Sequence, residues 1–312
     1  MAIEQNIVLL VGGVGGAKLA LGLSEILPPE KLTIIVNTAD DFWHYGLRIC
    51  PDLDTVMYTL SGLVDPVNGW GVHQDTTLTL DSLKRYGENP WFRLGDQDLA
   101  THLLRTHLLR SGVSLTEIVA QLSRQLGIKH TLLPMTDASV ATMVDTIELG
   151  EIEFQSYFVQ HRWKPTVKSL RIEGIESAKM TDQVKAQIEN ADAIIIGPSN
   201  PWLSIQPILS VPELRDTLLQ RNIPRVAVTP IVSGKALKGP AAKIMQELGL
   251  AVTPQTVAEF YGEVINGFIY DQRDNLVKLN NVNTLSLDTI MKDRTDKIRL
   301  AQQMLDWIGE WT

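Results

Sequence analysis

Residues 7–18 read Ile-Val-Leu-Leu-Val-Gly-Gly-Val-Gly-Gly-Ala-Lys, and this stretch decides the fold. The run from Ile7 to Val11 is apolar throughout, without the polar alternation of a half-exposed strand. It therefore reads as a strand buried on both faces of a parallel sheet. A glycine cluster follows at Gly12, Gly13, Gly15 and Gly16. Leu19, Leu23 and Ile26 then recur at helical spacing, which predicts a helix over 17–26, stopped by Pro28-Pro29. Residues 32–36 form a second buried strand, ending in Asn37-Thr38-Ala39-Asp40-Asp41. Strand, glycine loop, helix, strand is the opening unit of a doubly wound α/β domain.

The rest of the chain extends that rhythm. Helices are expected over 52–62, 79–86, 98–109 and 182–191. A cleaner one runs over 114–126, with Ser114 as N-cap, Glu117 completing a capping box and Gly127 as the stop. Between 131 and 167 the period changes. Thr142, Val144, Thr146, then Ile152, Phe154, Ser156 and Phe158 alternate with other residues, predicting a hairpin or meander. Buried strands resume at 193–196, ending in Gly197-Pro198-Ser199-Asn200-Pro201, and at 225–228. Further helices follow Gly239-Pro240 and close the chain over 293–311. No linker or repeat divides the sequence. All 312 residues read as a single α/β domain: a Rossmann-like, doubly wound, mainly parallel sheet with an inserted helical and β region over roughly 62–180.

Composition narrows the function classes. Lys plus Arg number 28 and Asp plus Glu 36, a formal charge of −8. That disfavours nucleic acid or an anionic membrane as partner, since both call for a basic surface. A small anion held by one local pocket remains compatible with it. Cys50 stands alone, so no disulfide framework exists and a reducing, cytoplasmic setting is expected. No apolar run approaches the ~18 residues of a membrane-spanning helix.

The unusual residues fall at strand ends, where open α/β sheets bind ligands. Gly12, Gly13, Gly15 and Gly16 suit a phosphate cradle at a helix N-terminus, with Lys18 in the first turn. A tight turn without ligand is the plainer reading, but it does not require so many small residues. The loop fits neither standard phosphate motif. The third glycine of G-x-G-x-x-G is replaced by Lys18, and the Walker Gly-Lys-Ser/Thr is missing. Asp40-Asp41 and Asp52-Leu53-Asp54 form an acidic group. Asp52 and Asp54 at D-x-D spacing suit Mg²⁺, which takes one or two carboxylates plus substrate phosphates; Asp52 could equally cap the helix after it. Trp91, Phe92 and Arg93, followed by Gly95-Asp96, suit a planar ring with a polar edge, or a turn anchored by its aromatics. Asn68-Gly69-Trp70-Gly71 reads as another turn or a pocket rim. Histidines lack metal-binding spacing, and no G-x-S-x-G elbow is present.

Longer motifs carry a resemblance. GGVGGAK at 12–18, VNTADDFWHYGLRICPDLDT at 36–55, WFRLGDQDLATHLLRT at 91–106, LPMTD at 133–137, GPSNPWLSIQPIL at 197–209 and VTPIVSGKALKGPAAK at 228–243 occur in order. With these, the chain resembles the 2-phospho-L-lactate transferases and their bacterial phosphoenolpyruvate-using relatives of deazaflavin coenzyme F(420) biosynthesis. Ala39 and Ala138 stand where that family often has Gly and Asp. The resemblance implies transfer of a phospho-lactyl or phospho-enolpyruvyl group from a guanosine diphosphate-linked three-carbon acid to the ribityl hydroxyl of the deazaflavin Fo, with release of GMP and a requirement for Mg²⁺. It implies that Asp54 and Arg93 bind Fo, with Trp91 and Phe92 lining that pocket and Asp52 and Asp54 near the metal. It further implies that Gly13, Gly15, Asn37, Gly197, Ser199 and Asn200 hold the nucleotide diphosphate, that Lys18 and Lys243 help neutralise it, and that the enzyme is a homodimer. Two other readings compete: a regulatory nucleotide-sugar-binding protein of the gluconeogenesis-factor type on the same fold, and a nicotinamide dehydrogenase. PDLDT and WFRLGD favour the transferase over the first; Lys18 in place of the third glycine disfavours the second.

Overall fold

The computed structural model describes residues 5–237, 239–275 and 277–311. It begins with β1 (Ile7–Val11), α1 (Val14–Ser24) and β2 (Leu32–Val36), then a hairpin of β3 (Phe42–His44) and β4 (Leu47–Ile49), and α2 (Pro51–Leu60). Next come α3 (Leu78–Arg85), α4 (Asp96–Arg110), α5 (Leu115–Gln125) and β5 (Thr131–Pro134). β6 (Ala141–Thr146), β7 (Gly150–Glu153) and β8 (Val167–Glu173) form a separate antiparallel sheet in the order β7-β6-β8. The alternation resumes with α6 (Asp182–Glu189), β9 (Ala193–Ile196), α7 (Gln206–Ser210), α8 (Leu214–Leu219) and β10 (Arg225–Val228). A small hairpin of β11 (Ile231–Val232) and β12 (Lys235–Ala236) precedes α9 (Ala241–Glu247) and α10 (Pro254–Tyr261). β13 (Gly267–Asp271), β14 (Asn283–Leu287) and α11 (Arg294–Gly309) complete the chain.

Seven strands pair in the order β14-β13-β10-β9-β1-β2-β5, every pair parallel. Counted along the sheet strands alone, this is the Rossmann order 3-2-1-4-5-6 with one strand added at the far edge. The expected fold class is observed. β5 lies inside the stretch read from sequence as an insertion, yet it pairs with β2 as an edge of the main sheet. Residues 62–180 therefore comprise a helical part before β5 and the small antiparallel sheet after it.

Side chains of β1 alternate between two cores. Ile7, Leu9 and Val11 face the layer of α1, α2, α5 and α11, whereas Val8 and Leu10 face that of α6, α8, α9 and α10. A continuous apolar run is what such a strand demands. The capping box at Ser114 and Glu117 is present as predicted. The helix expected over 17–26 starts earlier, at Val14, because Gly15 and Gly16 enter its first turn. The alternation over 152–158 does not hold as a strand: β7 stops at Glu153 and a π-helical turn spans Ser156–Gln160. Phe154 and Phe158 stack at 5.4 Å instead. Residues four apart share a face under both periods, so the pattern could not separate them. Among the described residues, no helix is long and apolar enough to cross a membrane.

Helix α1 packs on α11 through Gly22, where a Cβ would run into the carbonyl oxygen of Lys297. Gly22→Ala gains helix propensity, but the backbone contact forces the two helices apart. We expect a net loss of about 1–3 kcal/mol, measured by urea unfolding; unchanged or raised stability would show that the helices part freely.

Candidate active site

The order of the sheet reverses between β1 and β9, and ligands of open α/β sheets bind at such a switch point. The two glycine loops meet there. Gly12 N–H donates to Ser199 Oγ at 2.9 Å, and Gly197 N–H donates to the Leu10 carbonyl at 2.9 Å. A Cβ on Gly15 would strike the Pro198 carbonyl, and one on Gly16 would lie 2.7 Å from Ser199 Oγ. Gly15 and Gly16 are thus required by loop-on-loop packing. Gly13 differs, since its Cβ would lie 2.6 Å from the Asp52 carboxylate, and a Cβ on Gly12 would be pressed both by Ser204 and, at 2.8 Å, by the same carboxylate. The α1 N-terminus carries no side-chain cap and no acidic residue in its first turn, so its positive end is turned to the space beside Asp52.

Asp52 reaches this place because the chain doubles back. After Asp41, the hairpin β3–β4 turns through Tyr45 and Gly46, both at positive φ (48° and 72°), the geometry of a two-residue hairpin turn. It returns the chain to Cys50 and α2. Asn37 Nδ2 donates to Asp52 Oδ2 at 3.0 Å, while Asn37 Oδ1 accepts from Ala39 N–H at 3.0 Å. Asp40, Asp41, Asp52 and Asp54 are all buried. Burial pushes Asp41 up to about 6 against the pull of Arg48, 3.5 Å away. Burial pushes Asp52 up to about 7, opposed by the hydrogen bond from Asn37. Burial and then the charge of Asp52 raise Asp40 well above the carboxylate range. Asp41 also feels Asp54, and Asp52 feels Asp41, so the carboxyl groups form one electrostatic row. Asp40 Oδ1 and both oxygens of Asp41 are buried without a hydrogen-bond partner.

Asp52 and Asp54 do not share a face. On a helix, two residues apart means about 200° of rotation. Asp54 instead meets α4: Arg105 Nη2 pairs with its Oδ1, and Nη1 donates to its Oδ2 at 3.0 Å. His102 Nε2 lies 3.2 Å from Asp98 Oδ1, and Tyr58 donates to that oxygen at 2.7 Å. Burial raises Asp98, and these contacts outweigh it, leaving the carboxyl below its ordinary range. Asp54, Asp98 and His102 bring ligand atoms within 4.8 Å of one another. Arg105 Nη1 is 3.1 Å from His102 Nδ1, and since arginine only donates, that nitrogen's lone pair is engaged. Both oxygens of Asp54 are taken by Arg105 and Asp98 Oδ1 by Tyr58, so a cation at this group would have to displace existing contacts. Sequence reading missed Asp98, His102 and Arg105; their spacing of four and three residues, one face of a helix, was the available signal.

Asp98 also lines an open cavity of about 110 Å³, together with Asp65, Asn68, Trp70, Gln74, Asp75 and Arg93. Arg93 thus shares this cavity with Asp98, whereas Asp54, expected beside it, is not among the lining residues. Trp91 and Phe92 are not among the lining residues. They pack with Phe42 and His44, Phe42 lying 4.9 Å from Phe92 and 5.6 Å from Trp91, and seat the hairpin on the helices. Asp96 and Asp75 exchange helix caps. Asp96 accepts from Leu78 and Thr79 N–H at 2.9 and 3.0 Å, and Asp75 from Gln97 and Asp98 N–H at 2.9 and 3.0 Å.

Other expected residues turn elsewhere. Lys18 Nζ donates to the Met291 carbonyl at 2.8 Å. Asn200 Oδ1 accepts from Trp202 and Leu203 N–H at 3.0 and 3.2 Å, capping the π-helical turn at Pro201–Ile205. Lys243 donates to the Pro165 carbonyl at 2.8 Å. Cys50 is buried, and burial pushes its thiol well up, consistent with a packed residue and not a nucleophile.

The family model for 2-phospho-L-lactate transferase CofD matches residues 7–304. The chain belongs to this family. It is a transferase of the 2-phospho-L-lactate or phosphoenolpyruvate kind. A 2-phospho-L-lactate transferase of Methanosarcina mazei is 41% identical over 267 residues, covering 86% of this chain and 87% of the relative. A phosphoenolpyruvate transferase of Mycolicibacterium smegmatis is 36% identical over 325 residues, covering 98% and 99%. A crystal structure of a UPF0052 family member from Bacillus halodurans superposes with a TM-score of 0.63 at 16% identity, covering 97% of this chain and 99% of that one; at that identity it shows the shared fold alone.

The raised carboxyls have a stability consequence. Asp52 titrates near 7 when folded against an ordinary 3.8. Between these values the folded state binds the extra proton, so stability falls as pH rises through the window and levels above it. Asp52→Asn removes that loss. The variant's stability relative to wild type, from denaturant melts without divalent cations, is expected to grow from pH 5 to pH 7.5. A constant difference would refute the coupling.

Proposed function

We propose that this protein transfers a phospho-lactyl or phospho-enolpyruvyl group from a guanosine diphosphate-linked three-carbon acid to the ribityl hydroxyl of the deazaflavin Fo, releasing GMP in coenzyme F(420) biosynthesis. The observation that carries the reading is the meeting, at the switch point, of an uncapped glycine-loop helix with the acidic row of Asp41 and Asp52. Asp54 follows on the same helix and joins that row to the Arg93 cavity through Asp98.

In this reading the backbone N–H groups of 12–16, with Asn37, Gly197, Ser199 and the 197–200 loop, hold the diphosphate. Arg93 and the cavity hold Fo. The Fo hydroxyl attacks the phosphorus that bears the three-carbon acid; a P–O bond forms, the phosphoanhydride bond breaks, and GMP departs with the bonding pair. Asp54 orients the hydroxyl and accepts its proton, with Asp52 as its partner on the nucleotide side. Such a transfer rests on positioning and charge neutralisation, with no covalent nucleophile required, in keeping with the packed Cys50.

The residues fit Mg²⁺, which takes oxygen ligands. Asp41 offers two buried oxygens outside hydrogen-bond geometry, one of them 3.5 Å from Arg48, and Asp52 and Asp54 act on it electrostatically. Asp52 would hold the ion together with Asp41, while Asp54, turned to Arg105 on the other side of the helix, would serve the acceptor side; the bound ion would neutralise negative charge on the transferring phosphate. A cytoplasmic homodimer is part of the same proposal.

Purified protein given Fo, Mg²⁺ and either guanosine diphosphate-linked donor should yield GMP and a phosphodiester deazaflavin. The product mass separates lactyl from enolpyruvyl by two hydrogens. Asp54→Asn should lower turnover at least 100-fold with an unchanged melting temperature. Absence of GMP with both donors would refute the transfer, and near-wild-type turnover of the variant would remove Asp54 from it.

A further inference from the structure

The α2–α4 seam contains more polar machinery than binding requires. Asp54 and Tyr58, four apart on α2, meet Asp98, His102 and Arg105, spaced four and three apart on α4. The Arg105 side chain is fully buried, which is rare for arginine unless it is paired. Its fork engages both oxygens of Asp54, and Nη1 is also 3.3 Å from the Arg48 carbonyl and 3.1 Å from His102 Nδ1. Because arginine has no acceptor, His102 Nδ1 is the acceptor in this contact, and Nε2 lies 3.2 Å from Asp98 Oδ1. Tyr58 Oη, which donates to Asp98, is 2.9 Å from Thr101 Oγ1. The chain of contacts thus runs from Asp54 through Arg105 and His102 to Asp98, which opens on the Arg93 cavity.

A buried ion pair is weak support for stability, because apolar packing of the same volume often serves as well. What a bidentate pair supplies is orientation: two parallel N–H bonds fix the plane of the carboxylate. We propose that Arg105, itself held by His102, is the positioning residue for Asp54, locking its carboxylate so that the remaining lone pairs face the acceptor hydroxyl. This rests on the reading of Asp54 as the contact to Fo. Arg105 touches no reacting atom; it acts only through Asp54.

The test is a double-variant cycle. Fo is titrated, by its own absorbance, into wild type, Asp54→Asn, Arg105→Lys and the double variant, with the melting temperature of each recorded. Arg105→Lys keeps the charge and loses the fork. It should weaken Fo binding about tenfold, as expected for disturbing a charge-assisted hydrogen bond. Turnover should fall about 100-fold, with the KM for the nucleotide donor unchanged. In the Asp54→Asn background the same substitution should change Fo affinity by less than twofold. Should Arg105→Lys not fold, the cycle is run with His102→Asn and His102→Leu: asparagine offers an acceptor to Arg105 and should retain binding, whereas leucine should lose it. Multiplying effects, or a lowered melting temperature with normal binding and turnover, overturn the inference alone. A wild type that does not bind Fo overturns the acceptor reading and this inference with it.

Discussion

Everything at the site depends on two loops touching where the first of them, at Gly15 and Gly16, brings no side chain to the contact. Where the sheet order reverses, residues 12–16 lie directly on 197–199, and the contact is closed by Gly15 on Pro198 and by Gly16 on Ser199. Only a backbone stripped to glycine comes this close. The approach seats the α1 N-terminus at the switch point and leaves room beside Gly12 and Gly13 for the Asp52 carboxylate. A methyl group added at Gly15 or Gly16 would press on Pro198 or Ser199 and push the strand ends apart.

Helix α2 is the divider between two environments. Its first turn sends Asp52 toward the glycine loop and Asn37, and Asp54 toward Arg105 on α4. The same helical geometry that separates them gives each its own electrostatic setting. Asp52 is desolvated and raised, whereas Asp54 is neutralised by a guanidinium. Burial makes the charged form of such carboxylates costly, which is why a cation beside them belongs to the proposed function.

The parallel sheet, both glycine loops and the capping box at Ser114 were legible because local patterns determine them: unbroken apolar runs, glycine clusters, a Ser and a Glu three apart. Asp52, Asp54 and Arg93 were legible as chemistry but not as geometry. The D-x-D spacing suggested one face, and α-helical rotation put the two on opposite sides. Trp91 and Phe92 were read as pocket walls or as anchors of a turn, and they pack on the hairpin through Phe42, since aromatic residues suit either role. The hairpin β3–β4 escaped because each strand has only three residues. Arg105 escaped because a buried arginine cannot be told from a surface one until its partner helix is in place. β13 and β14 drew no reading, although β13 is as apolar a buried strand as β10.

The exchanged caps of α3 and α4 bear on how the molecule moves. Asp75 holds the first N–H groups of α4 and Asp96 those of α3, so neither helix end can fray without releasing the other. The wall carrying Asp75 and Arg93 is thereby clasped to the helix that carries Asp98, His102 and Arg105. The clasped pair of helices is thereby expected to open as one cooperative unit rather than helix by helix.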